Sequence, residues 1–346
     1  MSSQSFLAGA AAVVLGAFAL TGAATAQQVS GSPTFDAVRA RGQVVCGTAA
    51  DLPGFASVDS QGRWRGLYVD VCRAVAAAAL GDAGKVRFVA TTLLNRLTML
   101  QTGEIDMLAS NTTWTLSREA ALGLEFTGVT FYDGQGFLVK KALGVTSAHQ
   151  LDGATICVQP GSTTELNLGD YFRQNGLKMT PVVIDDLATL REAFLSGRCD
   201  AYTIGTAALA AFRVSLGARA EETILLPELI SKEPLGPVVR KGDWQWFDLV
   251  RWSGFAMLLA EELGLDSGNI ERQAAESRDP NVRRFTGREG GFGSMLGVDD
   301  DWAFRIVRQV GNYRESWERN VTPLGLPRGV NRLWMEGGIQ YAPPIR

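Results

Sequence analysis

The chain has 346 residues, enough for about two domains. Hydrophobic residues are 46% and charged residues 20%, which excludes a disordered chain and supplies real cores. Lys+Arg is 33 against Asp+Glu 36 and there is one His, His149, so neither a duplex nucleic-acid binder nor a multi-His metal centre is expected.

The first 26 residues carry no charged side chain. Phe6 to Leu20 is apolar, and Ala24-Thr25-Ala26 forms a small-residue cleavage pattern before Gln27. Residues 1–26 therefore read as a secretory signal peptide, shorter in its apolar run than a spanning helix. The mature protein is expected in the periplasm, without a lipid anchor. Cys46, Cys72, Cys157 and Cys199 suit that oxidising compartment as disulfides. Four cysteines allow three pairings, and spacing alone does not choose among them.

From Gln43 the pattern alternates. Val44 to Gly47 reads as a strand and Leu67 to Leu80 as a helix. Val86 to Val89 is a strand, Leu94 to Gln101 a helix, and Ile105 to Ala109 a buried strand. The order then repeats: strand Thr155–Gln159, helix Thr164–Gln174, strand Thr180–Ile184, helix Leu187–Leu195, strand Ala201–Ile204. Gly103-Glu104-Ile105-Asp106 and Gly197-Arg198-Cys199-Asp200 each follow a helix and open a strand. This order predicts α/β lobes with mostly parallel sheets flanked by helices. Crossings between lobes are expected near Gly134–Lys140 and Leu229–Pro237, giving a hinge and a cleft. Long helices follow over Trp244–Leu263, from Asn281 onward, and over Trp302–Trp317.

Two stretches carry candidate chemistry. Ser110-Asn111-Thr112-Thr113-Trp114-Thr115-Leu116-Ser117-Arg118 sits at the carboxyl end of a strand and before a helical stretch, Glu119–Leu124. Ser117 is the expected N-cap, and Arg118 offers a planar fork to a carboxylate. Pro160-Gly161-Ser162-Thr163-Thr164-Glu165 holds the equivalent place in the second half, with capping-box spacing from Ser162 to Glu165. Two such helix starts facing each other would clamp a small carboxylate. There is no G-x-S-x-G, no H-E-x-x-H and no phosphate loop. His149 reads as a surface residue, and no cofactor or metal is expected.

These motifs resemble the periplasmic solute-binding proteins of polar and general L-amino-acid ABC transporters, bacterial solute-binding protein family 3. The resemblance runs from about Thr34 to Arg346. It rests on Ala109 to Arg118, on Ile230-Ser231-Lys232-Glu233-Pro234-Leu235-Gly236, on Gln309 to Tyr313 and on Gln340 to Arg346. It implies a two-lobed periplasmic-binding-protein fold of type II, with lobe 1 at 27–133 plus 236–346 and lobe 2 at 134–235. It implies that Arg118 holds a ligand α-carboxylate, with Ser110, Asn111, Thr113 and Trp114 beside it and Ser162 and Thr163 capping it from the second lobe. One disulfide per lobe is implied, Cys46–Cys72 and Cys157–Cys199. The implied partners are a carboxylate or amino-acid ligand and an inner-membrane ABC permease, with the receptor a monomer. A ligand sensor for a signalling receptor and a periplasmic lyase are the alternatives on the same fold.

The sequence departs from that pattern in places. Gly205 stands where relatives commonly place an Asp that pairs with the ligand α-ammonium. Gly66-Leu67-Tyr68 replaces Gly-Phe-Asp, and Leu52 replaces an aromatic that covers the ligand. Free α-amino acids are therefore expected to bind weakly, and Gly205→Asp to raise their affinity.

Overall fold

The computed structural model describes Met1 and residues 31–346. The expected signal peptide, Met1 apart, lies outside the described residues.

Two five-stranded sheets share one plan. In the first, the order is Val86–Ala90, Val44–Thr48, Met107–Leu108, Val238–Arg240, Leu124–Phe126. The first three strands run parallel, and Val238–Arg240 is antiparallel to both neighbours. In the second, the order is Met179–Val183, Ala154–Val158, Ala201–Gly205, Gln135–Lys140, Thr223–Leu225. Again three strands are parallel and the fourth is antiparallel to both neighbours. Val44–Thr48 is buried along its whole length, as expected of a parallel strand covered on both faces.

The repeated signatures do the same work in each half. Gly103 and Gly197 end helices with φ of 82° and 84°, a conformation that favours glycine. The Asp three residues on then reaches back to the neighbouring strand. Asp106 accepts from Val45 N at 2.7 Å and Asp200 accepts from Thr155 N at 2.7 Å.

The chain crosses between the sheets on a two-stranded antiparallel ribbon, Phe131–Asp133 with Glu233–Leu235. The expected crossing near Gly134–Lys140 is therefore displaced: Gln135–Lys140 belongs wholly to the second sheet. The C-terminal segment holds this ribbon in place. Asn331 accepts from Tyr132 N at 2.7 Å and donates to Tyr132 O at 3.0 Å, and the Tyr313 hydroxyl donates to Thr130 O at 2.7 Å.

Helices Leu67–Leu80 and Leu187–Leu195 lie where the periodicity puts them. Others differ. The first helix after Thr91 is Arg96–Thr102, because Thr92 and Asn95 bond each other in a turn that excludes Leu94. Trp302–Trp317 is two helices, Trp302–Val310 and Tyr313–Asn320. Gly311 (φ 94°, ψ 177°) breaks the chain, and Asn312 and Glu315 form a reciprocal cap. The stretch after Arg118 is shorter than expected: the helix is Leu116–Ala121, and Leu124 already starts a strand. Its N-cap is Thr115, not Ser117, because the Thr115 hydroxyl is the one placed to accept from Arg118 N.

Cys46 is bonded to Cys72 and Cys157 to Cys199, each bridge joining a strand to a neighbouring segment of the same half. They close loops of 26 and 42 residues, for which chain-entropy arguments give roughly 3–4 kcal/mol each. Non-reducing peptide mapping is expected to return these two pairs, and reduction to lower the melting temperature. A Cys72–Cys157 peptide would contradict the fold, since it would tie the halves together across the hinge.

Candidate ligand-binding site

The hinge ribbon sets the floor of a cleft. In its register Glu233 lies opposite Asp133. Residues directly opposite on antiparallel strands project to the same face, so both carboxylates point into the cleft. Glu233 is buried and Asp133 half-buried, and each is supplied with donors. Asp133 accepts from Thr206 Oγ1 at 2.6 Å, from Gly134 N at 2.8 Å and from Ala207 N at 3.3 Å. Glu233 accepts from Ser231 Oγ at 2.9 Å, Asn167 Nδ2 at 3.1 Å and Thr163 Oγ1 at 3.2 Å, and from the Thr113 hydroxyl. Burial pushes the Asp133 carboxyl up to about 6, against its hydrogen bonds and with help from the Glu233 charge.

Two guanidiniums face these acids. Arg96 is 2% exposed and Arg118 7%. Arg118 donates to the Thr113 carbonyl at 2.9 Å. Arg96 donates to the Asn111 carbonyl at 3.0 Å, and its Nε has no partner. Among the described residues neither forms an ion pair with a carboxylate. Burial lowers both pKa values, that of Arg96 to about 9, where the neighbouring Arg118 charge adds to the effect.

A chamber of ≈ 30 Å³ lies between these groups. Leu52, Phe55, Tyr68, Ile204 and Leu235 supply its apolar walls; Arg96, Asn111, Thr113, Asp133, Ser162, Thr163 and Glu233 its polar ones. A second chamber of ≈ 220 Å³ adjoins it and shares Leu52, Leu93, Arg96, Asn111 and Ile204. In the first chamber the lobes touch: the Thr113 and Thr163 hydroxyls are 3.1 Å apart.

The residues singled out in the sequence fall into three groups. Asn111, Thr113, Ser162, Thr163 and Gly205 line the first chamber, and Ser110 the second. Ser162 also caps its helix, accepting from Glu165 N at 3.1 Å; the Glu165 carboxylate turns to Gly161 N instead of closing the box. Arg118 is buried beside Glu233 but lines neither chamber. Trp114 points away, stacked on Phe126 at 5.5 Å with its indole N–H on Glu119. Sequence reasoning missed Arg96, Asp133 and Glu233. Glu233 lay inside a stretch already noted. Asp133 ends a crossing strand, and the loss of an acid at 205 was the signal to look for one nearby.

Gly205 explains itself at this point. A Cβ there would come within 2.5 Å of Asp133 Oδ2. The carboxylate absent from position 205 is thus supplied beside it from the ribbon. Any side chain at 205 must displace the Asp133 carboxylate, so Gly205→Asp is now expected to crowd that acid.

Two α/β lobes, a two-strand hinge and a charged cleft between them define a two-lobed periplasmic-binding-protein fold of type II. The chain belongs to the bacterial extracellular solute-binding proteins, family 3, matched over residues 44–264. It is 49% identical over 94% of its length to the glutamate/glutamine/aspartate/asparagine-binding protein BztA of Rhodobacter capsulatus, covering 96% of that protein. To the general L-amino acid-binding periplasmic protein AapJ of Rhizobium johnstonii it is 48% identical over 93% of its length, covering 96% of that protein. A solved periplasmic binding protein from Brucella ovis with glutathione bound is 46% identical. It superposes with a TM-score of 0.88 over 90% of this chain and 99% of that one. The family and these relatives are extracytoplasmic binding proteins. Among the described residues no helix is long and apolar enough to cross a membrane.

Gly205→Ala is expected to destabilise the fold by about 1–3 kcal/mol through overpacking against Asp133. Gly205→Asp is expected to do so at least as strongly and to weaken amino-acid binding. Thermal melts and titration calorimetry with L-glutamate check both, and a tighter Gly205→Asp variant would refute the account of Asp133.

Proposed function

We propose that the protein is the periplasmic receptor of an amino-acid ABC importer and binds α-amino acids between its lobes. The observation that carries this is the Asp133 carboxylate standing against Gly205 in the cleft, a partner for an α-ammonium. Glu233 opposite adds a second negative charge to the same face. Arg118 and the free N–H groups that start helix Thr163–Gln174 take the α-carboxylate. Thr113 and Thr163 supply hydroxyls from the two lobes, with Ser110, Asn111 and Ser162 around them. We take the lobes to divide at 133/134 and 235/236, on the ribbon that joins the two sheets. BztA and AapJ are named for amino acids, and glutathione carries a free α-amino acid end; all three support the reading. The permease partner follows from the same relatives.

A lyase would need a group in the cleft that passes a proton. Asp133 has the raised pKa, but its hydrogen bonds come from two backbone N–H groups and a hydroxyl, which favour the ionised form. That arrangement suits a fixed acceptor for an ammonium rather than a proton shuttle, so the protein is read as a receptor and not an enzyme.

The two lobes touch across the first chamber through Thr113 and Thr163, so entry of a ligand requires the lobes to part. Ligand contacts drawn from both lobes then favour closure. Small-angle scattering is expected to give a smaller radius of gyration with saturating L-glutamate than without.

Titration calorimetry tests the seat. Arg118→Ala and Asp133→Asn are each expected to weaken amino-acid binding by at least about a hundredfold, as when one member of a desolvated charge pair is removed. The pH dependence has a definite sign. Asp133 in the free protein has a pKa raised to about 6, so it is ionised above that value and neutral below it. The ammonium needs the ionised form, so affinity is full above about pH 7 and falls as pH drops through 6. Between pH 7 and pH 5 the loss is roughly tenfold. Glu233 on the facing strand and the Tyr68 phenol are the other titratable groups that face Asp133. Asp133→Asn should flatten this profile. Tight binding that is independent of both residues would sink the proposed seat.

A further inference from the structure

The hinge strand that ends in Asp133 is held by a part of the chain that the family match does not reach. That match ends at residue 264, and residues 313–340 lie beyond it. They are built onto the first lobe. Ser316 Oγ and Asn320 Nδ2 each donate to Asp70 Oδ2 at 2.7 Å, in helix Leu67–Leu80. Arg328 Nη2 donates to Glu261 Oε2 at 3.2 Å, in helix Trp244–Glu262.

From that base three side chains grip strand Phe131–Asp133 by its main chain. Tyr132 lies opposite Pro234, which has no N–H to give. Both polar main-chain groups of Tyr132 go to Asn331 instead. Asn331 Oδ1 accepts the Tyr132 N–H at 2.7 Å, and Nδ2 donates to the Tyr132 carbonyl at 3.0 Å. A primary amide offers the same donor and acceptor as a peptide group, so Asn331 stands where a third strand would. The Thr130 carbonyl accepts from the Tyr313 hydroxyl at 2.7 Å and from Gln340 Nε2 at 3.4 Å. Between them Phe131 stacks on Trp317, with ring centroids 5.5 Å apart. Tyr313, Trp317, Asn331 and Gln340 are all buried. A cavity of ≈ 60 Å³ remains between the strand, Gln340, Tyr341 and helix Trp244–Glu262, so on that side hydrogen bonds and not close packing set the strand's place.

One residue further on the attachments change. Asp133 is bound by Gly134 N, Thr206 Oγ1 and Ala207 N, on the side of the second sheet. The returning crossing changes as sharply. Ile230 N donates to Gln135 O at 2.9 Å, in the second sheet. Pro234 O accepts from Trp114 N at 2.9 Å and Gly236 N donates to Thr112 O at 3.3 Å, on the first-sheet side. With residues 130–132 pinned, bending is confined to the 132/133 junction on one crossing and to residues 231–233 on the other. Without the pins the first strand would flex along its length and carry Asp133 with it.

We propose that residues 313–340 are a strap that fixes the pivot of the hinge, with Asn331 as its positioning residue. By holding Tyr132, the strap sets where Asp133 stands relative to Arg118 across the cleft. A group already in place costs a ligand less to engage than one that must first be ordered. The consequence for affinity rests on the α-amino-acid seat proposed above; the restraint on the strand does not.

The test compares the unmodified protein with Asn331→Ala, which removes both bonds to Tyr132, and with Tyr313→Phe, which removes one bond to Thr130 at nearly constant shape. All are freed of bound ligand by unfolding and refolding and studied well below their melting temperatures. In Asn331→Ala, hydrogen exchange read by mass spectrometry is expected to be at least about tenfold faster over residues 130–134 and unchanged in strand Ala154–Val158. Small-angle scattering is expected to give the free variant a larger radius of gyration than the free unmodified protein, and the same radius once L-glutamate is bound. Titration calorimetry is expected to show L-glutamate bound at least about threefold more weakly. Tyr313→Phe should shift all three in the same direction by less, and it carries the test if Asn331→Ala does not fold. A lower melting temperature with unchanged affinity and unchanged scattering would make the segment framework alone and overturn the proposal. So would faster exchange spread evenly over both sheets. If the unmodified protein does not bind L-glutamate, the α-amino-acid seat fails, and the strap is decided by the exchange and scattering of the free proteins.

Discussion

Two carboxylates set opposite each other on the hinge ribbon are the constraint around which the cleft is arranged. Like charges at directly opposed positions repel, and burial makes each more costly. The surroundings answer with donors. Asp133 draws on Gly134, Thr206 and Ala207, and Glu233 on Ser231, Asn167, Thr163 and Thr113. Several otherwise separate features follow from this. A side chain at residue 205 would have to displace the Asp133 carboxylate, whose oxygen lies 2.5 Å from the Cβ position. The cleft-facing hydroxyls of both lobes converge on one point, because Glu233 sits there. Two guanidiniums can stay buried without ion pairs of their own, because they share the cleft with two negative charges.

Glu233 also sets the terms of closure. Its donors come from both sides of the cleft, Thr113 on the first-sheet side and Thr163 and Asn167 on the second. A ligand carboxylate that takes the two threonine hydroxyls exchanges one carboxylate for another. The hydrogen bonds then largely cancel, as exchanges of equivalent partners do. On the proposed seat, what favours the bound, closed state is what the exchange adds: the guanidinium contacts, the backbone N–H groups at the start of Thr163–Gln174, and the ammonium placed against the acidic face.

The plan of the fold was legible in the sequence and its joints were not. Helices Leu67–Leu80 and Leu187–Leu195 have strong periodicity and clear stops, and local pattern suffices for them. The short signatures ending in Asp106 and Asp200 marked the repeated half correctly. The breaks at Gly311 and the choice of Thr115 over Ser117 as N-cap turn on backbone geometry within one or two residues, below the resolution of pattern. The site divides the same way. Thr113 and Thr163 sit in local motifs and meet in the cleft. Arg96 opens a short helix, and nothing in its own segment says that it is buried. Asp133 and Glu233 are 100 residues apart and become a pair only through strand register, a long-range property.

The position of Asp133 has one more consequence. It belongs to a crossing strand, yet its hydrogen bonds run to Gly134, Thr206 and Ala207, on the side of the second sheet. Helix Thr206–Ser215 has Gly205 at its N-cap, which offers no side chain, and Asp133 accepts the N–H of Ala207 in its place. The Asp133 carboxylate is thus fixed to the start of the helix that Gly205 precedes. Although the division at 133/134 counts it with the first lobe, its hydrogen bonds tie it to the second. Arg118 lies in the helix that follows Thr113 and moves with the first. An amino acid whose ammonium sits at Asp133 and whose carboxylate sits at Arg118 therefore spans the two lobes through its own α-carbon. Both of its charges are satisfied only when the lobes are together, and that difference between the closed and open states is what a ligand needs in order to close the receptor.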